Sequence, residues 1–381
     1  MRPLVIVGTG LAGYSLAREW RKRDTERPLI MVTRDDGAFY SKPMLSNALA
    51  QGKTPDALIN ATAGEMAAQL KADICTGCAV TGLDPDAHRL DTDQGPIGYG
   101  RLVLALGADP IRLPIGGSGA DAILSVNDRL DYARFRAALK PGARVAIIGA
   151  GLIGCEFAND LRRAGHPVSV IDLAPQPLGR LVPPAVAKAM RERFAELGVD
   201  WHLGTSVGRV DRNGGGLRLT LADGTVLDAD LVLSAVGLRP RIALAQQAGL
   251  DTHRGIRIDR FLRTSRPDIH AIGDCAEVEG LVLPFVMPLM AQARALAATL
   301  AGEPTPVRYP AMPVVVKTPD FPLVVAPPPR DAEGEWTIET ADCGLRALFR
   351  DPQGRMLGFV LTDECAHQRA ALARELPTVL E

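Results

Sequence analysis

The chain has 381 residues, with 43 basic and 44 acidic side chains and a formal net charge of −1 at pH 7. This length suits two or three domains, and a hydrophobic fraction of 47% beside a charged fraction of 23% excludes global disorder. The balanced charge argues against non-specific binding to nucleic acid, so we expect a globular protein without a nucleic-acid partner.

The first predicted unit is a strand, a glycine-rich turn and a helix. Leu4–Val7 is an apolar run typical of a buried strand, and Leu11–Arg21 is compatible with a helix. Residues 8–13 read GTGLAG, in which the first glycine allows a tight turn, the second lets a pyrophosphate approach and the third lets the helix pack on the strand. The helix N-terminus would offer free N–H groups to the phosphates. The expected contacts with a dinucleotide are Gly8, Thr9, Gly10, Leu11, Ala12 and Gly13.

A carboxylate for the ribose of this dinucleotide is expected after the second strand, Leu29–Val32. Thr33 occupies the strand end, and Asp35 and Asp36 come just beyond it. We predict that Asp35 binds the ribose, with a plain turn aspartate as the alternative interpretation.

A second unit repeats the first. Residues 145–148 are apolar, residues 149–154 read GAGLIG, and the following strand, residues 168–171, ends at Asp172. A carboxylate at this place accepts hydrogen bonds from the adenosine ribose of NAD and repels a 2′-phosphate, which favours NADH over NADPH; an ordinary strand-end aspartate is the alternative. Two such units imply two dinucleotides and electron transfer between them. The expected contacts in this unit are Gly149, Gly151, Leu152, Ile153 and Gly154.

Further segments complete the predicted organisation. A strand in each unit ends on glycine, at Gly107 and Gly237, and residues 271–274 read AIGD. We expect a helix over residues 288–300 and a domain boundary in residues 302–313, which contain four prolines. The tail beyond this boundary has alternating strand patterns, so we expect a small α+β domain there.

Together, the two glycine fingerprints, the glycine-ended strands and the AIGD motif resemble the flavoprotein family of glutathione reductase and ferredoxin reductase. The resemblance implies an α/β fold with two Rossmann-like dinucleotide-binding domains of the glutathione reductase type and a small α+β C-terminal domain. It implies FAD in the N-terminal unit and NADH in an inserted second unit. The implied domains are an FAD-binding domain of residues 1–112 and 242–304, an NADH-binding domain of residues 113–241 and a C-terminal interface domain of residues 305–381.

Shorter segments are similar to the bacterial rubredoxin reductases. They are residues 40–46 (YSKPMLS), residues 154–160 (GCEFAND) and residues 314–318 (VVVKT). This similarity implies NADH:rubredoxin oxidoreductase activity, in which hydride passes from NADH to FAD N5 and single electrons then reach rubredoxin, a small acidic iron protein. The alternatives are an NADH-dependent ferredoxin reductase of an oxygenase system, an NADH oxidase and a non-turnover NADH-sensing flavoprotein.

The resemblance also implies the catalytic residues. Lys42 would lie near flavin N5 and pair with Glu156 on the nicotinamide side. An ammonium group there stabilises the negative charge that hydride brings to the ring, and Glu156 would keep Lys42 charged in a partly desolvated pocket. A surface lysine and an ordinary helical glutamate are the alternative interpretations.

Other flavin contacts are implied by the resemblance alone. Asp274, with Gly273 before it, would bind the ribityl–phosphate region, and the N-terminus of the next helix would direct its positive end at the ring. Val286 would give a backbone contact, Lys317 would lie near the pyrimidine end, and Val80 would touch the adenine half unless it is a core valine.

The cysteines do not indicate a dithiol relay. Cys75 and Cys78 form a CxxC inside a strand pattern, without a helix start to lower a thiol pKa, so we interpret them as incidental. Disulfide reductases of the wider family carry a CxxxxC pair where this chain has Ser41 and Ser46, and serine cannot cycle between thiol and disulfide. Six scattered cysteines in a chain of this size make a disulfide framework unexpected, and the histidines lack metal-ligand spacing.

The sequence also bears on location and assembly. The most apolar late stretch, residues 281–300, contains Pro284, Pro288 and Arg294, so we expect no membrane span there. No signal peptide is predicted before the first strand. We expect a cytoplasmic protein without membrane insertion, and a monomer or weak dimer.

Overall fold

The computed structural model describes residues 2–179 and 181–381. Within them, helices and strands alternate over most of the chain. The α-helices in chain order are α1 (Leu11–Arg21), α2 (Ala63–Leu70), α3 (Arg129–Ala138), α4 (Leu152–Arg163), α5 (Pro184–Glu196), α6 (Ala243–Gln247), α7 (Val286–Leu300) and α8 (Arg369–Glu375). Short 3₁₀-helices cover Lys42–Ser46, Asp56–Leu58, Ala120–Ala122, Gly273–Cys275 and Asp363–Gln368.

The first unit is built on a five-stranded parallel sheet. The strand Leu4–Val7 is buried along its whole length, as expected for a parallel sheet covered on both faces. The strand order is Ile269–Ala271, Arg101–Leu104, Leu4–Val7, Leu29–Val32 and Asp73–Cys75. An antiparallel sheet accompanies it, formed by Val80–Asp84, Arg89–Thr92 and Ile97–Gly98. Because the edge strand Ile269–Ala271 comes from a distant part of the chain, the second unit is inserted into the first.

The second unit repeats this architecture. Its parallel sheet has the order Val199–Leu203, Val168–Asp172, Val145–Ile148 and Leu231–Ser234. Its antiparallel sheet comprises Val207–Asn213, Gly216–Leu221 and Val226–Ala229. In both units the central strand leads through a glycine turn directly into a helix, α1 in the first and α4 in the second. The predicted α/β fold with two Rossmann-like units is therefore confirmed.

A short antiparallel ladder marks the two passages between these units. Ala108–Pro110, on the way into the second unit, pairs with Leu238–Pro240, on the way back. Arg241 reinforces the crossing through an ion pair with Asp109, at 2.6 Å between nitrogen and oxygen. Two further ladders pair Phe39–Tyr40 with Ile59–Ala61 and Ile256–Ile258 with Ala276–Val278.

The C-terminal domain is an antiparallel sheet with α8 packed beside it, which confirms the expected small α+β domain. The strand order is Val314–Val316, Leu323–Ala326, Met356–Thr362, Gly344–Arg350 and Glu335–Ala341. A disulfide joins Cys343 to Cys365, a bond that the scattered cysteine spacing did not predict. The hairpin turn after Ala341 brings Cys343 beside the 3₁₀-helix that carries Cys365.

Two observations concern the longer helices. The helix expected from residue 288 begins two residues earlier, at Val286. Among the residues that the structure describes, no helix combines the length and the apolar character needed to cross a membrane.

Candidate functional site

A large open cleft lies between the two Rossmann-like units and the C-terminal domain. Its volume of about 3030 Å³ is several times that of a site for one small ligand, roughly 300–1,000 Å³. Of the residues predicted from the sequence, Gly13, Gly154 and Gly273 do not line it. The others do: Gly8, Thr9, Gly10, Leu11, Ala12, Asp35, Lys42, Val80, Gly107, Gly149, Gly151, Leu152, Ile153, Glu156, Asp172, Gly237, Asp274, Val286 and Lys317.

The first fingerprint depends on three glycines with different tasks. Gly8 has a φ of +113°, and a Cβ on it would collide with the carbonyl oxygen of Ala105. A Cβ on Gly13 would collide with the carbonyl oxygen of Gly8, so α1 could not pack on the turn. Gly10, the N-cap of α1, has open space where its Cβ would be and faces the cleft. The turn leaves room for a phosphate at a helix N-terminus that, within residues 2–179 and 181–381, no side chain caps.

The second fingerprint has the same construction. Gly149 has a φ of +110°, and a Cβ on it would lie 2.7 Å from the carbonyl oxygen of Ala235. A Cβ on Gly154 would collide with the carbonyl oxygen of Gly149, whereas the Cβ position of Gly151 is open. The third glycine of each fingerprint therefore sets the packing of its helix, which is why it does not line the cleft.

One carboxylate stands beside each fingerprint. Asp172 accepts hydrogen bonds from the backbone N–H of Ala150 at 2.5 Å and of Ala174 at 2.7 Å. Asp35 accepts one from the Thr33 hydroxyl at 2.7 Å and one from the Gly37 N–H at 3.0 Å. Short local hydrogen bonds thus fix both carboxylates at the edge of the cleft.

Asp36, which the sequence placed beside Asp35, does not line the cleft. Its carboxylate pairs with the guanidinium of Arg129, which also lies 3.2 Å from Asp56. The Arg129 side chain is only 9% exposed, and its backbone N–H donates to the Tyr40 hydroxyl at 3.0 Å. Asp36 therefore ties the first unit to α3, and the structure leaves Asp35 as the carboxylate facing the cleft.

The prediction that Lys42 pairs with Glu156 is wrong. Lys42 Nζ lies 3.7 Å from Asp274 Oδ2, and both side chains reach the cleft. Lys42 begins the 3₁₀-helix Lys42–Ser46, and it is the far end of this helix, at Ser46, that lies beside Glu156. The turn of the helix separates Lys42 from Glu156, so Asp274 is the carboxylate within its reach.

Glu156 is a buried carboxylate surrounded by three donors. Its side chain, near the start of α4, is 3% exposed. The Ser46 hydroxyl donates to Oε2 at 2.5 Å, and Lys317 Nζ lies 2.6 Å from the same oxygen. The Lys317 backbone N–H donates to Oε1 at 3.0 Å. Since a buried carboxylate is costly unless it is paired and hydrogen-bonded, these contacts offset the cost of burying Glu156 and fix its orientation.

Further polar side chains of α4 bind the neighbouring domains. Asn159 Nδ2 donates to Asp320 at 2.6 Å, and Arg163 pairs with Asp320 at 3.1 Å. Asp160 accepts hydrogen bonds from the backbone N–H groups of residues 49 and 50, both at 2.9 Å, and burial raises its pKa. Helix α4 is therefore bonded to the first unit and to the C-terminal domain.

The N-terminus of α7 opens onto the cleft. Val286 is its first residue, residues 284–287 line the cleft, and no side chain of the described residues caps the helix. The unpaired N–H groups of the first turn give this end a partial positive charge. Gly273, with a φ of +80°, donates its N–H to Gln292 Oε1 on α7 at 2.7 Å, which fixes the segment carrying Asp274 against this helix.

The cysteines near the cleft are free thiols. Cys78 is buried, and burial together with Cys78 raises the pKa of the Cys75 thiol. A raised pKa disfavours the thiolate that redox chemistry needs.

Ser46 is the site residue that the sequence interpretation missed. In the sequence, Ser46 stands where disulfide reductases of the wider family carry the second cysteine of a CxxxxC pair. This alignment with a cysteine of a redox pair is the signal in the sequence that could have identified Ser46 as a site residue, and Ser46 does line the cleft.

Two families match the chain. Residues 2–297 match the family described as Pyridine nucleotide-disulphide oxidoreductase, and residues 306–376 match the one described as Rubredoxin binding C-terminal domain. A Rubredoxin-NAD(+) reductase of Alcanivorax borkumensis is 49% identical over 381 residues, covering 100% of both chains. A Rubredoxin-NAD(+) reductase of Acinetobacter baylyi is 48% identical over 100% of this chain and 99% of that protein.

A solved structure is similar along almost the whole chain. It is the covalent putidaredoxin reductase–putidaredoxin complex, with a TM-score of 0.89 at 27% identity over 99% of this chain and 94% of that one. The fold, the paired fingerprints and the match over residues 2–297 all indicate the same family. The chain belongs to the pyridine nucleotide-disulphide oxidoreductase family.

Proposed function

We propose that the chain is an FAD-dependent NADH:rubredoxin oxidoreductase. The observation that carries this proposal is the cleft in which two glycine fingerprints meet beside a domain that matches a rubredoxin-binding family. The full-length similarity to Rubredoxin-NAD(+) reductases, at 48% and 49% identity, supports the same activity.

The residues of the cleft fit two dinucleotides. At Gly10 and at Gly151 the backbone is bare where a pyrophosphate would approach, and each of these glycines caps a helix N-terminus. Asp35 and Asp172 are acceptors for ribose hydroxyls, and the charge of Asp172 would repel the 2′-phosphate of NADPH. We assign FAD to the first unit because Lys42 and the N-terminus of α7 both face the cleft from its side. NADH then belongs to the second unit.

When bound, FAD accepts hydride from NADH and passes electrons singly to an acceptor. The residues of the chain bind the two cofactors, orient them and balance the charge at the flavin. Lys42 holds an ammonium group in the cleft, and the N-terminus of α7 adds a partial positive charge. Both would stabilise the negative charge that arrives at the flavin, because solvent screens charges less in the cleft than in bulk water. Glu156 is fixed on the nicotinamide side by Ser46 and Lys317.

The proposed contacts follow this division. For FAD they are Gly8, Thr9, Gly10, Leu11, Ala12, Gly13, Asp35, Lys42, Val80, Gly107, Gly273, Asp274 and Val286, and for NADH they are Gly149, Gly151, Leu152, Ile153, Gly154, Glu156, Asp172 and Gly237. A place for Lys317 near the pyrimidine end of the flavin stays a prediction, since its Nζ lies 2.6 Å from Glu156. Residues 1–112 and 242–304 form the FAD-binding domain, residues 113–241 the NADH-binding domain and residues 305–381 the C-terminal interface domain. A cytoplasmic location and a monomeric or weakly dimeric state stay predictions.

Steady-state turnover with different acceptors tests the proposal. The purified protein should contain one FAD and oxidise NADH rapidly when rubredoxin is supplied. Rapid turnover with ferredoxin but not rubredoxin would make it a reductase of an oxygenase system, and rapid turnover with oxygen alone would make it an oxidase. Slow turnover with every acceptor would instead identify an NADH sensor. Each of these three results would overturn the proposal.

A further inference from the structure

We infer that Lys317, in the C-terminal domain, is a positioning residue for the NADH half of the reaction and acts through Glu156. This inference rests on the proposed function. The match of residues 306–376 to a rubredoxin-binding family concerns only the acceptor side. In the structure, the same domain also reaches the helix that begins at the NADH fingerprint.

The contact is an ion pair across a domain boundary. Lys317 engages both oxygens of Glu156, with Nζ 2.6 Å from Oε2 and its backbone N–H donating to Oε1 at 3.0 Å. Ser46, in the first unit, donates to Oε2 at 2.5 Å. Among the described residues, all three donors to Glu156 therefore come from outside its own domain.

A second contact anchors the same domain to the same helix. Asp320, three residues after Lys317, accepts a hydrogen bond from Asn159 at 2.6 Å and pairs with Arg163 at 3.1 Å. Glu156, Asn159 and Arg163 are three and four residues apart, so they lie on one face of α4. The C-terminal domain thus holds one face of the fingerprint helix at two points.

The ion pair balances charge where negative charge arrives. Glu156 lines the cleft while its side chain is only 3% exposed, so water screens its charge poorly. Without a cation beside it, this carboxylate would oppose the transfer of hydride to the flavin. Lys42 does not serve this purpose, because its Nζ lies beside Asp274. Lys317 is therefore the cation that neutralises Glu156.

The test is anaerobic reduction of the bound FAD by NADH in a stopped-flow instrument, with no rubredoxin present. Lys317→Met should lower the limiting rate constant by about ten-fold or more, and Lys317→Arg should keep most of it. The double variant Lys317→Met/Glu156→Gln should be faster than Lys317→Met and no slower than Glu156→Gln alone, because no buried charge is then left unpaired. The midpoint potential of the bound flavin should fall in Lys317→Met and recover in the double variant.

Two control variants separate charge balance from loss of structure. Lys188→Met removes an exposed lysine paired with Glu192 and should behave as the wild type does. Asp320→Asn weakens the other contact of the same domain, and Glu156→Gln should not relieve its effect. Should Lys317→Met fail to retain FAD, Lys317→Gln removes the same charge with a polar side chain.

The inference is wrong if Lys317→Met matches Lys188→Met in both rate and potential, or if Glu156→Gln brings no recovery. It is also wrong if Glu156→Gln relieves Asp320→Asn equally well. A wild-type protein that NADH does not reduce would overturn the proposed function itself, which distinguishes the two failures.

Discussion

Glu156 and Lys317 are 161 residues apart in the chain, yet the Oε2 of one lies 2.6 Å from the Nζ of the other at the junction of three domains. Ser46 completes this junction from the first unit. A second pair, Lys42 with Asp274, lies in the same cleft at 3.7 Å. Each cleft lysine thus has its own carboxylate, which differs from a single pair joining Lys42 to Glu156.

Ser46→Ala should reduce the stability of this junction. The buried acceptor Glu156 would lose one of its hydrogen-bond donors, so we expect the free energy of unfolding to fall by about 1–3 kcal/mol. Urea unfolding followed by fluorescence measures the change. Ser41→Ala is the matched control: it lies in the same segment, its side chain caps nothing, and it should shift stability by less than about 0.5 kcal/mol. Equal losses in the two variants would contradict the junction as described.

Gly154→Ala and Gly151→Ala should fail in different ways. The new methyl group at residue 154 collides with the carbonyl oxygen of Gly149, so we expect the free energy of unfolding to fall by about 1–3 kcal/mol or more. The methyl group at residue 151 meets open space at the cleft, so stability should hold while the Kd for NAD⁺ rises about ten-fold. Thermal unfolding and NAD⁺ titration read the two effects separately. The opposite pattern would refute the division of tasks between these glycines.

Asp172→Arg should shift the cofactor preference towards NADPH. The substitution removes the carboxylate that would repel a 2′-phosphate and adds a cation that attracts it. We expect the ratio of kcat/KM for NADPH to that for NADH to rise about ten-fold or more. Asp172→Asn removes the charge and keeps an acceptor for one of the two N–H groups, of Ala150 or of Ala174, which helps to separate lost charge from lost loop structure. An unchanged ratio in the arginine variant would rule out the ribose assignment.

His270 should make the fold sensitive to acid. Burial lowers the pKa of His270 to about 4, and neither ring nitrogen has a hydrogen-bond partner among the described residues. An unfolded histidine gains its proton near pH 6.5, so between pH 6.5 and 4 the unfolded state binds more protons than the folded state. The contribution of the neutral, buried His270 to the free energy of unfolding is complete above pH 6.5, and it falls by about 3 kcal/mol as the pH approaches 4.

The comparison of wild type with His270→Leu across this pH range isolates the effect. As the pH falls, the free energy of unfolding of the wild type should decrease relative to that of His270→Leu. His367→Gln, which removes an exposed histidine instead, is the matched control. A His270→Leu variant with the same slope as the wild type would show that His270 is not the residue responsible.

The fold and the location of the cleft were predictable because their signals are local. A strand, a glycine turn and a helix are contiguous in sequence, so the positions of Gly8, Gly149 and Asp172 follow from spacing alone. The partner of Lys42 was not predictable in this way. It depends on how the turn Lys42–Ser46 lies against α4, and on a strand end from the C-terminal domain that carries Lys317. Such contacts are set by packing between domains, which leaves no periodic pattern in the sequence.

The bond between Cys343 and Cys365 shows the same limit. Cysteine number and spacing argued against a disulfide, but a hairpin turn brings these two residues together.

The most direct measurement is the rate at which the NADH-reduced protein returns to its oxidised spectrum when mixed anaerobically with rubredoxin. We expect rapid reoxidation that slows as salt is added, because docking of a small acidic protein is guided by charge. Ferredoxin at the same concentration should reoxidise the protein much more slowly. Rapid reoxidation by ferredoxin with little or none by rubredoxin would contradict the assignment of rubredoxin as the acceptor.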